Sequence, residues 1–220
     1  MADAKLTYAQ IQDASLGDWR KLAQALHASF ATGDFATGMR FVQELGEAAE
    51  EADHHPDVTL TYPRVDISLS SHDVGGITGR DVELARRISD IAARLGVSAD
   101  PGRVMQVEFG LDSGDHGQIS PFWQAVLDGK AGGDEVVDPS GRWSTVWFQQ
   151  SDEPADAEPP RQRWHPDVWV AADQAQRFID AGVAAGGRVV DDSNAPAFVV
   201  LADPQGNRMC ICTAAEREPG

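Results

Sequence analysis

Two alternating runs that meet at a proline constrain the fold of this chain more than any other feature. Val58, Leu60 and Tyr62 alternate with Thr59 and Thr61, and Val65, Ile67 and Leu69 alternate with Asp66, Ser68 and Ser70. A period of two places each apolar set on one face, so both runs predict half-buried strands, with Pro63 marking a tight connection. Helical spacing brackets the pair. Asp34 can cap a helix in which Phe35, Met39, Val42, Leu45 and Ala49 recur on one side. This helix should stop near Asp53, because a residue before proline avoids the α region and Pro56 follows. Thr78 opens another helix, with Val82, Ala85, Ile88 and Leu95 inward. Upstream, the spacing of Trp19, Leu22 and Leu26 predicts a helix over 15–26, followed by a short extended piece around His27–Phe30. The pattern is that of an α+β layer, a sheet with helices packed on one face.

Gly, Ser, Asp and Pro dominate residues 96–103 after a helical pattern and before an apolar run, so this stretch is read as a linker. It separates residues 1–98 from residues 104–214. The second half opens with a strand over 104–111 and a helix around 121–127. Strands follow near Val136 and over 144–149. A Pro- and acid-rich stretch, 151–160, is expected to be a solvated loop. The order then recurs: an extended segment over 164–170, a helix over 173–185, and strands over 188–190, 197–201 and 208–213. Strand, helix and several strands, stated twice, predict a tandem βαβββ domain, although side-chain identity between the copies is weak.

The formal net charge of −17 argues against nucleic acid and against anionic membranes, both of which need a basic surface. No apolar run approaches the roughly 20 residues of a membrane span, and the N-terminus lacks the basic and apolar regions of a signal peptide. Cys210 and Cys212 are the only cysteines. Two apart in a strand, they share a face and are poorly placed to bond to each other, which fits a reducing, cytoplasmic setting.

Chemistry concentrates between Glu50 and Asp81. That stretch holds His54, His55 and His72, three of the six histidines, with Glu50, Asp53 and Asp81. Imidazole can both give and take a proton near neutrality, so a cluster of three suggests proton transfer or a metal. His72 continues the polar parity of Asp66, Ser68 and Ser70. His54 and His55 sit where a helix gives way to extended chain, so their side chains should diverge. Glu50 lies four residues before His54 on one helical face and could orient that ring. Bland readings stand beside these: a helix C-cap for the histidine pair, a solvated charge for Glu50, and a capping box, Thr78-x-x-Asp81, for Asp81. No HExxH or Cys/His spacing supports zinc here.

The spacing His54-His55-Pro56, five residues, Tyr62, nine residues, His72, eight residues, Asp81 resembles the signature of the pterin-4a-carbinolamine dehydratases. Trp19, Phe30, Phe35, Phe41 and Ala49-Glu50 upstream, and Gly76-Ile-Thr and Leu84-Ala85 downstream, extend the likeness over about residues 15–95. The resemblance implies a four-stranded antiparallel sheet with three helices, usually in a homo-oligomer. It also implies loss of water from a 4a-hydroxytetrahydropterin to give the quinonoid dihydropterin, with no metal or other cofactor and with a small-molecule pterin as the partner. Carried over, His54, His55 and His72 are the active-site histidines, and Glu50 and Asp81 support them. On this reading His54 and His72 serve the chemical step and His55 serves pterin binding.

The second half resembles the vicinal oxygen chelate (glyoxalase/bleomycin-resistance) superfamily. The residues that carry the likeness are Phe122-Trp123 with Val126-Leu127, His165-Pro-Asp167-Val-Trp169-Val, and Ala202-Asp203-Pro204-x-Gly206-Asn207. Members often bind a divalent metal through His and Glu. His165 and Glu108 match such positions, but Cys210 stands where many members place Glu, so no hard-cation set remains. The expectation is a domain without metal, unless His165, Glu108 and Cys210 converge as a soft zinc site. His116 is expected in a surface loop. The rival functions are a non-catalytic pterin- or partner-binding protein, and small-molecule binding or resistance through the second half.

Overall fold

A computed structural model of the chain describes residues 4–139, 141, 143–151, 164–202 and 208–216, without the side chains of residues 118, 122 and 126. The stretch 152–160, the residues 203–207 of the second resemblance, and the side chains of Phe122 and Val126 therefore lie outside the described residues. The chain forms two compact units. One comprises 1–105, 170–174 and 213–220; the other comprises 106–169 and 175–212.

The first unit begins with a short helix, α1 (Tyr8–Asp13), closed by a reciprocal capping box between Thr7 and Gln10. The helix expected over 15–26 does not form. Ser15 turns the chain at φ 54, and β1 (Arg20–Leu22) and β2 (Ala25–Ala31) make a hairpin through Ala23 at φ 42. Trp19, Leu22 and Leu26 are all buried, but from the two arms of a hairpin. Their spacing mimics a helix face only because the turn between them is tight.

Helix α2 (Phe35–Ala52) starts at Asp34, whose carboxylate accepts the Thr37 N–H at 2.7 Å, and ends at Asp53 in the left-handed region. Its buried face is Gly38, Phe41, Leu45, Ala48 and Ala49. Phe35 and Met39, expected inward, are about half exposed at 52% and 51%. Gly38 explains the rotation, since a Cβ there would stand 2.6 Å from Leu60 Cδ1. Of the two glycines in this helix, Gly38 is the one whose backbone approaches the sheet too closely for a Cβ, whereas Gly46 has open space around it.

The two alternating runs form β3 (Asp57–Thr61) and β4 (Arg64–Leu69), paired antiparallel through the turn at Tyr62-Pro63. β4 also pairs with β2, setting Leu26 opposite Leu69, Ala28 opposite Ile67 and Phe30 opposite Val65, so all six pack on the buried face. The order β1-β2-β4-β3 is the expected four-stranded sheet; β5 (Ser98–Ala99), inside the stretch read as a linker, adds to β2. Helix α3 (Gly79–Leu95) packs beside α2 and ends at Gly96, left-handed at φ 68. Phe30 is the centre of the core, edge-on to Phe41 at 5.1 Å and to Trp19 at 6.2 Å.

The second unit contains β6 (Met105–Ser113), α4 (His116–Leu127), β7 (Lys130–Gly132), β8 (Glu135–Val137) and β9 (Val146–Gln150). After the undescribed stretch come β10 (Trp164–Val170) and, beyond the segment 170–174 that belongs to the first unit, α5 (Ala175–Ala184), β11 (Arg188–Asp191), β12 (Phe198–Ala202) and β13 (Arg208–Cys212). All eight strands share one sheet in the order β11-β12-β13-β10-β6-β9-β8-β7. The repeat predicted from element order is also a repeat of pairing. In each half the first strand runs parallel to the last (β6 with β9, β10 with β13), and the remaining pairs are antiparallel. Leu111, Val136, Val146 and Phe148 form a core with Ile119, Trp123 and Leu127 of α4 packed on it. Alternation therefore turns Glu108, Gly110 and Asp112 to the opposite face of β6.

Candidate functional site

The histidine cluster is assembled by the end of α2. Asp53 adopts φ 47, ψ 41, and its N–H returns to the carbonyls of Ala49 and Glu50. The His54 N–H also bonds to the Ala49 carbonyl at 3.1 Å. This tight reversal sends consecutive side chains in opposite directions, as expected. The His54 side chain is 8% exposed and that of His55 57%.

Asp81, the third residue of α3, is completely buried. Its Oδ2 accepts from the Thr78 N–H at 2.7 Å, from Ser71 Oγ at 2.7 Å and from Thr78 Oγ1 at 3.2 Å. Its Oδ1 lies 2.8 Å from His54 Nε2. A carboxylate only accepts, so the imidazole proton sits on Nε2. Among the described residues Nδ1 has no hydrogen-bond partner. One carboxylate thus closes the capping box and holds the buried ring.

Glu50 does not reach His54. It meets His55, Oε1 to Nε2 at 3.2 Å, because the left-handed turn at Asp53 brings the fifth residue back over the helix end rather than the fourth. His72 does not extend β4, which ends at Leu69. Ser71 instead bridges to Gly76, and His72 is exposed in the turn between them, where Gly75 has φ 63. Arg80 bonds Asp73 in that turn at 2.6 Å, and its hydrogen bond is the largest of the effects that hold the Asp73 carboxyl below the usual carboxylate range. The polar parity of His72 correctly predicted exposure, but a turn provides it. Sequence reasoning missed Ser71, and its signal was available as a small hydroxyl residue directly before the histidine.

In the second unit, His165 and Cys210 converge and Glu108 does not join them. Trp169 Nε1–H donates to Glu108 Oε2 at 2.8 Å and Gln106 donates to Oε1 at 3.0 Å; burial raises the Glu108 pKa. The third member is Asp167. Donor atoms of His165, Asp167 and Cys210 all lie within 4.8 Å of one another. The expectation of no metal rested on the lack of a ligand set, and these three residues form a group that could hold an ion. A single carboxylate does not suit a hard cation, whereas imidazole, carboxylate and thiolate together suit a borderline one. Asp167 was legible as the i+2 neighbour of His165 on one strand face. Cys210 and Cys212 are not bonded to each other, and His116 opens α4 rather than lying in a loop.

Comparison with known proteins covers both units. The family model for pterin 4 alpha carbinolamine dehydratase matches residues 4–91. A protein of Koribacter versatilis named "Putative pterin-4-alpha-carbinolamine dehydratase" is 42% identical over 88 residues, 39% of this chain and 94% of the relative. The chain belongs to the pterin-4a-carbinolamine dehydratase family. A relative of the same name from Thermomicrobium roseum is 43% identical over 75 residues, 34% of this chain and 81% of its own. A crystal structure described as a transcriptional coactivator/pterin dehydratase from Brucella melitensis is 34% identical, covering 40% of this chain and 99% of that one, with a TM-score of 0.39. A glyoxalase-like domain model matches residues 108–212. The dehydratase likeness ends before β6, so the second unit is an addition to the length shared with these relatives.

Proposed function

We propose that this protein dehydrates a 4a-hydroxytetrahydropterin, and that His55 and His72 move the protons. The observation that carries the reading is the grip of Asp81. It holds His54 through one oxygen and Ser71 through the other, and the next residue after each is an exposed histidine. One buried carboxylate therefore fixes the two segments that carry the solvent-facing imidazoles. In the reaction the C4a–O bond breaks as an imidazolium protonates the hydroxyl, which leaves as water. A neutral base takes a ring N–H proton, and that electron pair forms the new C=N bond. No electrons are gained or lost, and two imidazoles in different protonation states suffice.

This reading exchanges the roles first given to the pair. A general acid must give its proton to the substrate, and the ring proton of His54 is held by Asp81 Oδ1 at 2.8 Å, while His55 is exposed and 3.2 Å from Glu50 Oε1. His54, with Nδ1 unengaged, is read as a pterin-positioning group. The dehydratase part is taken as 1–98 and the glyoxalase-like part as 104–214, in a cytoplasmic homo-oligomer that serves tetrahydrobiopterin recycling. The test is dehydration of a 4a-hydroxytetrahydropterin generated in situ. Pure protein that gives no acceleration over buffer defeats the proposal and favours a pterin- or partner-binding role.

A further inference from the structure

We propose that the second unit binds one zinc ion through His165, Asp167 and Cys210, leaving a fourth coordination position open. The three residues come from neighbouring parallel strands. Asp167 of β10 is directly opposite Cys210 of β13, and His165, two residues before Asp167, shares its face. The spacing is that of ligands. Zinc–nitrogen and zinc–oxygen bonds of about 2.0–2.2 Å and a zinc–sulfur bond of about 2.3 Å set tetrahedral donor atoms roughly 3.4–3.6 Å apart. His165 Nε2 and Asp167 Oδ1 are 3.5 Å apart, long for a strong hydrogen bond but right for two ligands of one ion. The remaining separations, at most 4.8 Å, need the Cys210 thiolate to close by about 1 Å, within reach of a side-chain rotation.

The surroundings support the assignment. His165 Nδ1 lies 4.0 Å from Asp112 Oδ1, on the side where a metal-bound imidazole usually donates its second N–H to a carboxylate. Gly110 makes room for the ring: a Cβ there would stand 2.4 Å from His165 Cε1 and 2.6 Å from Nε2. The Trp147 ring packs edge-on against His165 at 5.4 Å, and its buried Nε1–H has no partner among the described residues. An open zinc position suits a small ligand that offers an oxygen, such as water, a carbonyl or a carboxylate. Thiolate and imidazole donors select zinc over magnesium, calcium or manganese. Three protein ligands, rather than four, match zinc sites that keep a position for water or substrate.

The test is metal analysis of the full chain, purified under reducing conditions, supplied with Zn²⁺ and dialysed. One zinc per chain is expected, falling at least tenfold in His165→Ala and in Cys210→Ser and unchanged in Glu108→Gln. Cobalt in place of zinc should give a thiolate-to-metal charge-transfer band that Cys210→Ser abolishes, while far-UV circular dichroism shows that the variant is folded. Gly110→Ala removes no donor yet should also lose metal, because it displaces the imidazole. Wild-type protein that retains no zinc overturns the site, as does zinc retained in folded His165→Ala, or zinc lost in His54→Ala instead. The dehydration assay is separate: stripping the metal should leave pterin turnover unchanged, so either proposal can fail without the other.

Discussion

Replacing Asp81 with Asn leaves the shape of the site intact and removes only the charge, so it separates the two duties of this carboxylate. The amide oxygen can take the place of Oδ2 and keep the Thr78 N–H and Ser71 Oγ–H bonds, both 2.7 Å in the wild type. The amide nitrogen then faces His54 Nε2 and offers a proton where the wild type accepts one. The ring must move its own proton to Nδ1, so the nitrogen that could accept from the pterin becomes a donor. A hydrogen bond to a charged group contributes about 1.5–3 kcal/mol, and a negative charge in the first turn of a helix up to about 1 kcal/mol. Asn recovers part of both, so the expected loss of stability is about 2 kcal/mol, roughly 8–16 °C in Tm for a domain of this size. One misdirected bond to the pterin, about 1–3 kcal/mol, should lower kcat/KM by roughly 5–150-fold, mostly through KM. Urea unfolding and steady-state dehydration on the same preparation measure both. Wild-type stability would refute the buried grip. Lost stability with unchanged kinetics would reduce Asp81 to a helix cap.

His55→Ala and His72→Ala should each lower kcat by about 10²–10⁴-fold, the usual loss of a general acid or base, whereas His54→Ala should raise KM more than it lowers kcat; a collapse of kcat in His54→Ala alone would return the chemical step to the buried ring. Asp34→Asn should cap α2 about as well at neutral pH but change the acid limb of stability. Hydrogen bonds from Thr37 are the main effects that hold the Asp34 carboxyl below its ordinary value in the folded chain. Its contribution is therefore present above the unfolded pKa and lost as pH falls through the folded one. Urea midpoints followed from neutral pH downward should fall less steeply in the variant, and identical slopes would refute the linkage. Phe30→Ala empties the centre of the first core and should cost about 3–5 kcal/mol; an unfolding free energy within about 1 kcal/mol of wild type would contradict the packing described here.

Periodicity read well where one face of an element meets one layer. The alternation at 58–69 gave both strands of the central hairpin, and the restated strand–helix–strand order gave a tandem domain whose pairing repeats as well. It failed where two geometries share a spacing. Trp19, Leu22 and Leu26 satisfy a helix, yet the tight turn at Ala23 buries the same three residues from a hairpin. It also failed where a missing side chain set the contact. Gly38 draws α2 against Leu60 and leaves Phe35 and Met39 outside, and an apolar count gives no weight to glycine.

Contacts between distant segments follow a similar division. His165 and Asp167 share a strand face by parity alone, but their register against Cys210 depends on a parallel pairing that no local pattern encodes. At Asp81 the sequence offered two readings, a helix cap and a partner for a histidine, as if they competed. They do not, because a carboxylate has two oxygens and the fold uses them separately. Oδ2 satisfies the backbone N–H that begins α3, and that bond fixes where Oδ1 points. Because Oδ1 meets His54 and Oδ2 also meets Ser71, any motion of the helix start would be felt at the residues before both exposed histidines. Capping here is the means by which the site is positioned, so the structural and functional costs of losing Asp81 should rise and fall together. A variant that restores the cap without the charge would part them.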